Sequence, residues 1–484
     1  MKGEGLHTYI LRFIKTVFTG LIPFLFLSCN GTQSKKKDRN ADIAGPGRPN
    51  IVLILGDDLG YGDVSAYGNT RVHTPHIQEL ADNGMCFDNM FTSTAMCSPT
   101  RQQILTGLYP VRNGAYPNHS HVYEGTRSVA HYMQDAGYRT AITGKRDFGN
   151  KASFPFTFLG GQNWDNGKGR GIDLQKAREY MEKGGKPYFL VVASNQPHVP
   201  WVRGNADAYP PEGIEVPGYL VDTPETRQAL SKYYAEVTYL DSLVGQCVDM
   251  VRQSSGKDNT IIVFTSEQGA QFPFAKWTCY DQGLKTAFII NWPGRISPGS
   301  RNSALTQYVD VVPTLLDLAG VDPDTVNTGN KAVNGETGFD GKSFRNVLFD
   351  GENAFRDYVY GVHTTRGIIN GSDNYPVRSV RNKEYLYIHN LNASETFTNI
   401  ETRQGVVTSW KKKDRERAEA YSHRPEKELY DVRKDPYQLN NLAPLPEYED
   451  VIRKMDRELQ AFMGQQGDEG MLTEARAGMR RNKQ

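Results

Sequence analysis

Residues 50–60 read Asn50-Ile51-Val52-Leu53-Ile54-Leu55-Gly56-Asp57-Asp58-Leu59-Gly60, and this stretch decides the fold. Positions 51–55 are apolar without interruption. They lack the alternation of a strand with one wet face, so the run predicts a strand buried on both sides. Similar runs recur at 139–143, 188–193, 260–265 and 287–292. Helical stretches lie between them. The clearest opens with Thr223-Pro224-Glu225, a polar cap followed by proline at the first helical position. It continues with Leu230, Val237, Leu240, Val244, Cys247 and Val251 at helical spacing. Alternating strands and helices predict an α/β sheet covered on both faces, with functional residues gathered where strands end and helices begin.

The texture changes beyond about residue 350. Segments 358–362, 376–380 and 385–388 read as short strands between polar turns. A last helix follows Pro446, with Val451, Ile452, Met455, Leu459 and Phe462 on one face. The expected division is a larger domain over 49–350 and a smaller α+β domain over 351–484. At the other end, Lys2, Arg12 and Lys15 precede an apolar run over 17–27, shorter than the roughly 20 residues that span a bilayer. A basic segment and a short apolar segment make a secretory signal. It closes on Phe26-Leu27-Ser28-Cys29, so residues 1–29 resemble a bacterial lipoprotein signal, with Cys29 lipidated and first in the mature chain. The alternative is a plain signal peptide with an incidental cysteine. The lipoprotein reading predicts export and anchoring on the periplasmic side or the cell surface. Residues 30–48, with Lys35-Lys36-Lys37 and Gly45-Pro46-Gly47, read as a solvated tether.

Composition narrows the class. With 38% apolar and 23% charged residues, the 484-residue chain can bury a large core, which excludes wholesale disorder. Lys plus Arg number 56 and Asp plus Glu 55. That balance gives no general attraction to nucleic acid or anionic lipid, so membrane contact is expected through the lipid anchor alone. Five cysteines are too few for a disulfide scaffold at this length.

Four pieces carry chemistry. Asp57-Asp58 follow the first strand, and adjacent carboxylates repel unless a cation or hydrogen-bond donors sit between them. A pair of turn-capping aspartates is the bland alternative. Next, in Cys97-Ser98-Pro99-Thr100-Arg101 the proline favours a helix that begins at Cys97. The cysteine would then meet free amide donors and the positive end of a helix, a place suited to an anion and an activated nucleophile. Arg101, one turn on, offers a planar fork to an oxyanion. Third come Gly144-Lys145-Arg146-Asp147 and, after the next strand, Asn195-Gln196-Pro197-His198. A lone histidine is more often structural than functional. Fourth, Ser266-Glu267-Gln268-Gly269 supplies hard oxygen ligands at another strand end, with Lys276 and Lys285 downstream.

The stretch Cys97-Ser98-Pro99-Thr100-Arg101 with Leu105-Thr106-Gly107 resembles the signature of the formylglycine-dependent sulfatases. The resemblance extends to Asp57-Asp58, Gly144-Lys145, Pro197-His198 and the closing Glu428-Leu429-Tyr430-Asp431, Asp435-Pro436 and Asn441-Leu442-Ala443. It implies an alkaline phosphatase-like α/β fold, a central mixed sheet flanked by helices, with a smaller C-terminal α+β domain. It implies that a maturation enzyme oxidises Cys97 to formylglycine. It also implies that Asp57, Asp58, Glu267, Gln268 and modified Cys97 hold Ca2+, while Arg101, Lys145, His198 and Lys276 bind sulfate or protonate the leaving group. The chemistry has a reason. A hydrated aldehyde carries two hydroxyls on one carbon; one attacks sulfur, and the other loses its proton as sulfate is expelled. A serine cannot do the last step.

Two positions depart from the family pattern. Its metal pair is usually Asp-Asn or Asp-His, here Glu267-Gln268. Its usual histidine two residues after the lysine is here Asp147. A carboxylate about 4 Å from sulfate costs roughly 4 kcal/mol at an effective dielectric near 20, before compensation. Residues 216–239, Tyr375-Pro376-Val377-Arg378 and His389-Asn390-Leu391-Asn392 resemble the heparan N-sulfatase branch. That likeness implies a sulfated saccharide substrate, with N-sulfoglucosamine of a heparin-like glycan favoured over an O-sulfate ester. His363, Arg366 and Arg378 are the expected further substrate contacts. A phosphatase or phosphodiesterase of the same superfamily would want a Ser or Thr nucleophile and two zincs. An inactive glycan-binding lipoprotein would need no oxidisable cysteine.

Overall fold

The strand Asn50–Gly56 lies inside an eight-stranded sheet. Across the sheet the order is Ser300–Asn302, Met85–Phe87, Phe288–Asn291, Thr260–Ser266, Asn50–Gly56, Tyr188–Ala193, Arg139–Gly144 and Thr157–Phe158. The strands from Thr260–Ser266 to Thr157–Phe158 run parallel. Phe288–Asn291 runs antiparallel to Thr260–Ser266 and to Met85–Phe87, so the sheet is mixed. The structure is a computed structural model and describes residues 47–161 and 172–480. The signal segment, Cys29 and nearly all of the tether lie outside the described residues. Among the described residues no helix is long and apolar enough to cross a membrane.

Strand periodicity explains why every central position is apolar. Val52, Ile54, Leu190, Val192, Ile262 and Phe264 point to one face, into a core shared with Leu230, Val237, Leu240 and Val244 of the helix Pro224–Arg252. Ile51, Leu53, Phe189, Val191, Ile261 and Val263 point to the other, against Ile104, Leu105 and Leu315. The long helix begins as its sequence predicts: the Thr223 side chain accepts from Thr226 N–H, and Pro224 takes the first position.

A separate antiparallel sheet follows in the order Val359–His363, Val377–Arg381, Tyr385–Asn390 and Lys427–Asp431. The helix Glu449–Gln466 covers it, burying Met455, Leu459 and Phe462 with Val380, Tyr387 and Leu429. Phe462 stacks on Tyr360 with ring centres 3.8 Å apart. This sheet also bonds to the larger layer: Val362 N–H donates to Ser93 O at 2.7 Å, and Arg381 pairs with Asp281 at 3.0 Å.

The two-sided burial of the central strand is testable. Leu53→Ala should destabilise the protein by about 2–5 kcal/mol and lower the urea midpoint followed by circular dichroism. An unchanged midpoint would contradict the packing on that face.

Candidate active site

Four adjacent parallel strands deliver the site. Their registers align Gly56 with Ser266, Leu55 with Ala193, and Ala193 with Gly144, so the strands end level. The residues that follow are therefore neighbours: Asp57 and Asp58, Glu267 and Gln268, the segment Ser194 to His198, and Lys145. Backbone bonds fix them, from Asp57 N–H to Gln196 O at 3.0 Å, Glu267 N–H to Gly56 O at 3.1 Å and Lys145 N–H to Ala193 O at 2.8 Å. Gly144 is required here. Its φ is 91°, and a Cβ would meet Ala193 O at 2.0 Å. Asp58 also takes a left-handed backbone, φ 64°. Leu59 N–H donating to Ser266 Oγ and Gly60 N–H donating to the Tyr233 hydroxyl hold the turn in place.

The helix Cys97–Thr106 starts at the cysteine, as its proline predicts, and all ten of its residues are buried. Its polar side chains are used. Thr100 Oγ1 donates to Thr94 O at 2.7 Å, Gln102 Nε2 to Ser120 O at 2.8 Å, and Gln103 Oε1 accepts from Ser93 N–H at 3.1 Å. Cys97 Sγ faces Asp57 Oδ1 at 3.7 Å and Gln268 Nε2 at 3.4 Å.

Around the sulfur lies one continuous cluster of buried charges. Lys145 Nζ is 2.6 Å from Asp57 Oδ2 and 3.6 Å from Glu267 Oε1. Arg101 donates through Nε and Nη2 to Glu267 Oε1 at 3.2 and 2.7 Å. Lys276 Nζ sits 2.5 Å from Asp58 Oδ2, and Gln268 Nε2 donates to Asp58 Oδ1 at 2.7 Å. His198 Nδ1 lies 2.6 Å from Val199 O. A carbonyl can only accept, so Nδ1 carries a proton and Nε2 is the atom that faces Asp58 Oδ2, at 3.6 Å. Burial raises the Asp57 carboxyl, but Lys145 and His198 outweigh it and hold it below the ordinary carboxylate range. Burial pushes Glu267 up against the pull of Arg101. Burial weakens the Lys145, Lys276 and Arg101 cations, yet their carboxylate neighbours raise all three.

The residues expected to hold a cation fit one. Glu267 Oε2 and Gln268 Oε1 are buried acceptors without a protein partner, beside the two aspartates. A cluster of carboxylate and amide oxygens suits a hard cation. Ligand atoms of Asp57, Cys97 and His198 also come within 4.8 Å of one another. His198 is a member that the sequence reading assigned to sulfate rather than to metal.

Three expectations change. Cys97 is not an activated thiol: burial and then Glu267 push it well above the ordinary range, and the helix terminus does not overcome them. Arg378 is wholly buried, its guanidinium committed to Asp468 at 2.5 and 3.0 Å and to the His363 carbonyl at 2.9 Å. His363 is buried against Phe397, and burial and then the charge of Arg424 lower its pKa to about 3. Neither side chain is open to a saccharide. Arg366 is exposed, on the loop that bonds to Asn118. Asp147 lies at the edge of the cluster and meets His119, a residue the sequence reading did not single out. Asn195 was also passed over as a site residue, yet both atoms of its buried amide lack protein partners. Its place between a strand end and His198 was the available signal.

Residues 49–321 match the family model described as Sulfatase, and residues 269–406 match N-sulphoglucosamine sulphohydrolase, C-terminal. The first match spans more than half of the chain, and the chain belongs to the sulfatase family. It is an enzyme of the sulfuric ester hydrolase class, which includes a sulfamidase. An ulvan-active sulfatase of Formosa agariphila is 29% identical over 469 residues, covering 93% of this chain and 88% of the relative. The N-sulphoglucosamine sulphohydrolase of Homo sapiens is 29% identical over 461 residues, covering 85% of this chain and 89% of the relative. A solved protein in complex with its substrate D-glucosamine-2-N,6-O-disulfate superposes with a TM-score of 0.69 at 20% identity. It covers 87% of this chain and 99% of its own, a likeness of fold.

The state of the thiol can be checked directly. All four described cysteines are buried and free, and burial raises each thiol. Iodoacetamide at pH 7.5 should label none of them rapidly in the folded protein and all of them in guanidinium. Rapid native labelling of Cys97 would show an ionised, accessible thiol.

Proposed function

We propose that this sulfatase acts on a sulfated glycan, using formylglycine made from Cys97 by a maturation enzyme and one calcium ion. The observation that carries the reading is the convergence of Arg101, Lys145, Lys276 and His198 beside Cys97 at a helix start. Three fixed cations, one histidine and free amide donors make a pocket for a tetrahedral anion.

Asp57, Asp58, Glu267 and Gln268 would hold the calcium, with Cys97 next to it. When bound, calcium would draw charge from a sulfate oxygen, and formylglycine, as its hydrate, would supply the attacking hydroxyl. The chain's own residues do the rest. Lys145 and Lys276 would neutralise sulfate oxygens, and Arg101 braces Glu267. His198 would give the leaving nitrogen or oxygen a proton from Nε2, because the Val199 carbonyl retains the one on Nδ1. Burial keeps water away, so these charges act in a medium less polarisable than water.

The favoured substrate is N-sulfoglucosamine at the end of a heparin-like glycan. It is supported by the match of residues 269–406 and by the human N-sulphoglucosamine sulphohydrolase. An O-sulfatase is the second reading, because the ulvan-active relative is as similar and covers more of the chain. Export as a lipoprotein through Cys29 completes the proposal. Changing Cys29 to Ser should move the protein from the membrane fraction to the soluble one.

After co-expression with a maturation enzyme, peptide mass spectrometry should find an aldehyde at Cys97, and Cys97→Ala should lose at least about a thousandfold in turnover. Full activity in that variant would reject the mechanism. Given N-sulfoglucosamine and 6-O-sulfated N-acetylglucosamine, the matured enzyme should release sulfate from the first. Release from the second alone would replace the N-sulfatase reading with the O-sulfatase one.

A further inference from the structure

The helix that begins at Cys97 fixes one side of a second cavity. Gln102 Nε2 donates to Ser120 O at 2.8 Å, and Val122 N–H donates back to Gln102 Oε1 at 3.0 Å. The carbonyl between them, His121 O, accepts instead from Arg480 Nη2 at 2.6 Å, on the helix Met471–Arg480. On the other flank, a Cβ at Gly149 would meet the His121 ring at 1.9 Å, so the strap that follows Lys145 packs on the same segment. These pieces enclose a cavity of about 660 Å3, whose lining includes His121, Arg127, Asn150, Ser153, Met479 and Arg480. Two of its walls therefore continue segments that build the active site.

Arg480 is built into this cavity. Its Nε donates to Gly114 O at 3.0 Å, and its guanidinium lies over the Tyr123 ring, 4.1 Å from the ring centre. Gly114 has φ 87°, and a Cβ there would meet Arg480 Nη2 at 2.7 Å, so the backbone makes room for the cation. All of these partners are neutral. Arg127 in the same lining pairs with Asp135, and Arg476 on the same helix pairs with Glu469, but among the described residues no carboxylate pairs with Arg480. Its Nη1 makes no bond to a described residue. Among the described residues the lining holds one acid, Glu124, which is exposed. A fixed planar cation with free N–H donors and no counter-charge suits an anionic group.

We propose that this cavity is a second anion subsite, in which Arg480 holds the sulfate or carboxylate of a further sugar while the scissile sulfate lies among Arg101, Lys145 and Lys276. The inference rests on the sulfated-glycan reading of the main site and extends it: the enzyme grips a chain of acidic sugars rather than one sugar alone.

The test uses the full chain with Cys97 unmodified, so that no turnover intervenes, and two probes, N-sulfoglucosamine and a heparin-derived tetrasaccharide. Calorimetry should show the tetrasaccharide bound at least about tenfold more tightly than the monosaccharide, because one ligand spans both sites. Arg480→Gln should weaken the tetrasaccharide about tenfold and leave the monosaccharide within about twofold of the wild type. Met479→Glu guards against a folding lesion. Met479 is 77% exposed, so this substitution leaves the bonds of Arg480 in place while it sets a negative charge in the lining, and it should weaken the tetrasaccharide likewise. A tetrasaccharide with carboxylates and no sulfate identifies the acid: Arg480→Gln weakens it too if a carboxylate is held, and leaves it unchanged if a sulfate is. A wild type that binds the tetrasaccharide no better than the monosaccharide, tetrasaccharide affinity unchanged in either variant, or an equal loss of the monosaccharide overturns this inference alone. If the wild type binds neither probe, the heparin-like reading falls and this inference with it.

Discussion

The structure depends on burying opposite charges together. Asp57, Asp58 and Glu267 lie out of water with Arg101, Lys145 and Lys276, and every carboxylate has a cation within 2.7 Å. Removing any of these groups from water is costly, and removing one partner strands the other. The cluster therefore constrains what surrounds it. Strand registers must agree, the signature helix must start at Cys97, and the turn at Asp58 must accept a left-handed backbone.

That constraint explains a helix that looks wrong for its position. Cys97–Thr106 is buried throughout, yet it carries Ser98, Thr100, Arg101, Gln102, Gln103 and Thr106. Each of these reaches a partner: Arg101 the Glu267 carboxylate, Thr100 and Gln103 the segment just before the cysteine, Ser98 and Gln102 the loop of His119, and Thr106 the Gln102 carbonyl. The helix works as a hub, and its polar composition follows from the bonds it must make. The long helix Pro224–Arg252 has a simpler task. It seals one face of the sheet, and through the Tyr233 hydroxyl it steadies the aspartate turn.

The residues whose position is legible in the sequence are those whose neighbours lie close in the chain. Asp57, Lys145, His198 and Glu267 each follow an apolar run, and a strand end is visible from its own residues. Arg378 and His363 were misjudged because their partners are remote. Asp468, 90 residues beyond Arg378, turns an apparent donor for substrate into an internal tie. His119 was overlooked for the same reason: nothing in Pro117-Asn118-His119-Ser120 says that it meets Asp147.

The sequence by itself determined the alternation of strands and helices, the helix start at Cys97 and the acids and bases that follow the strand ends. These follow from periodicity, capping and residue chemistry, which are local. Tertiary structure decided the state of the Cys97 thiol, the fate of Arg378 and His363, and the encounter of His119 with Asp147. Those depend on burial and on contacts across the chain, because a charge's environment is set by what packs against it and not by its neighbours in sequence.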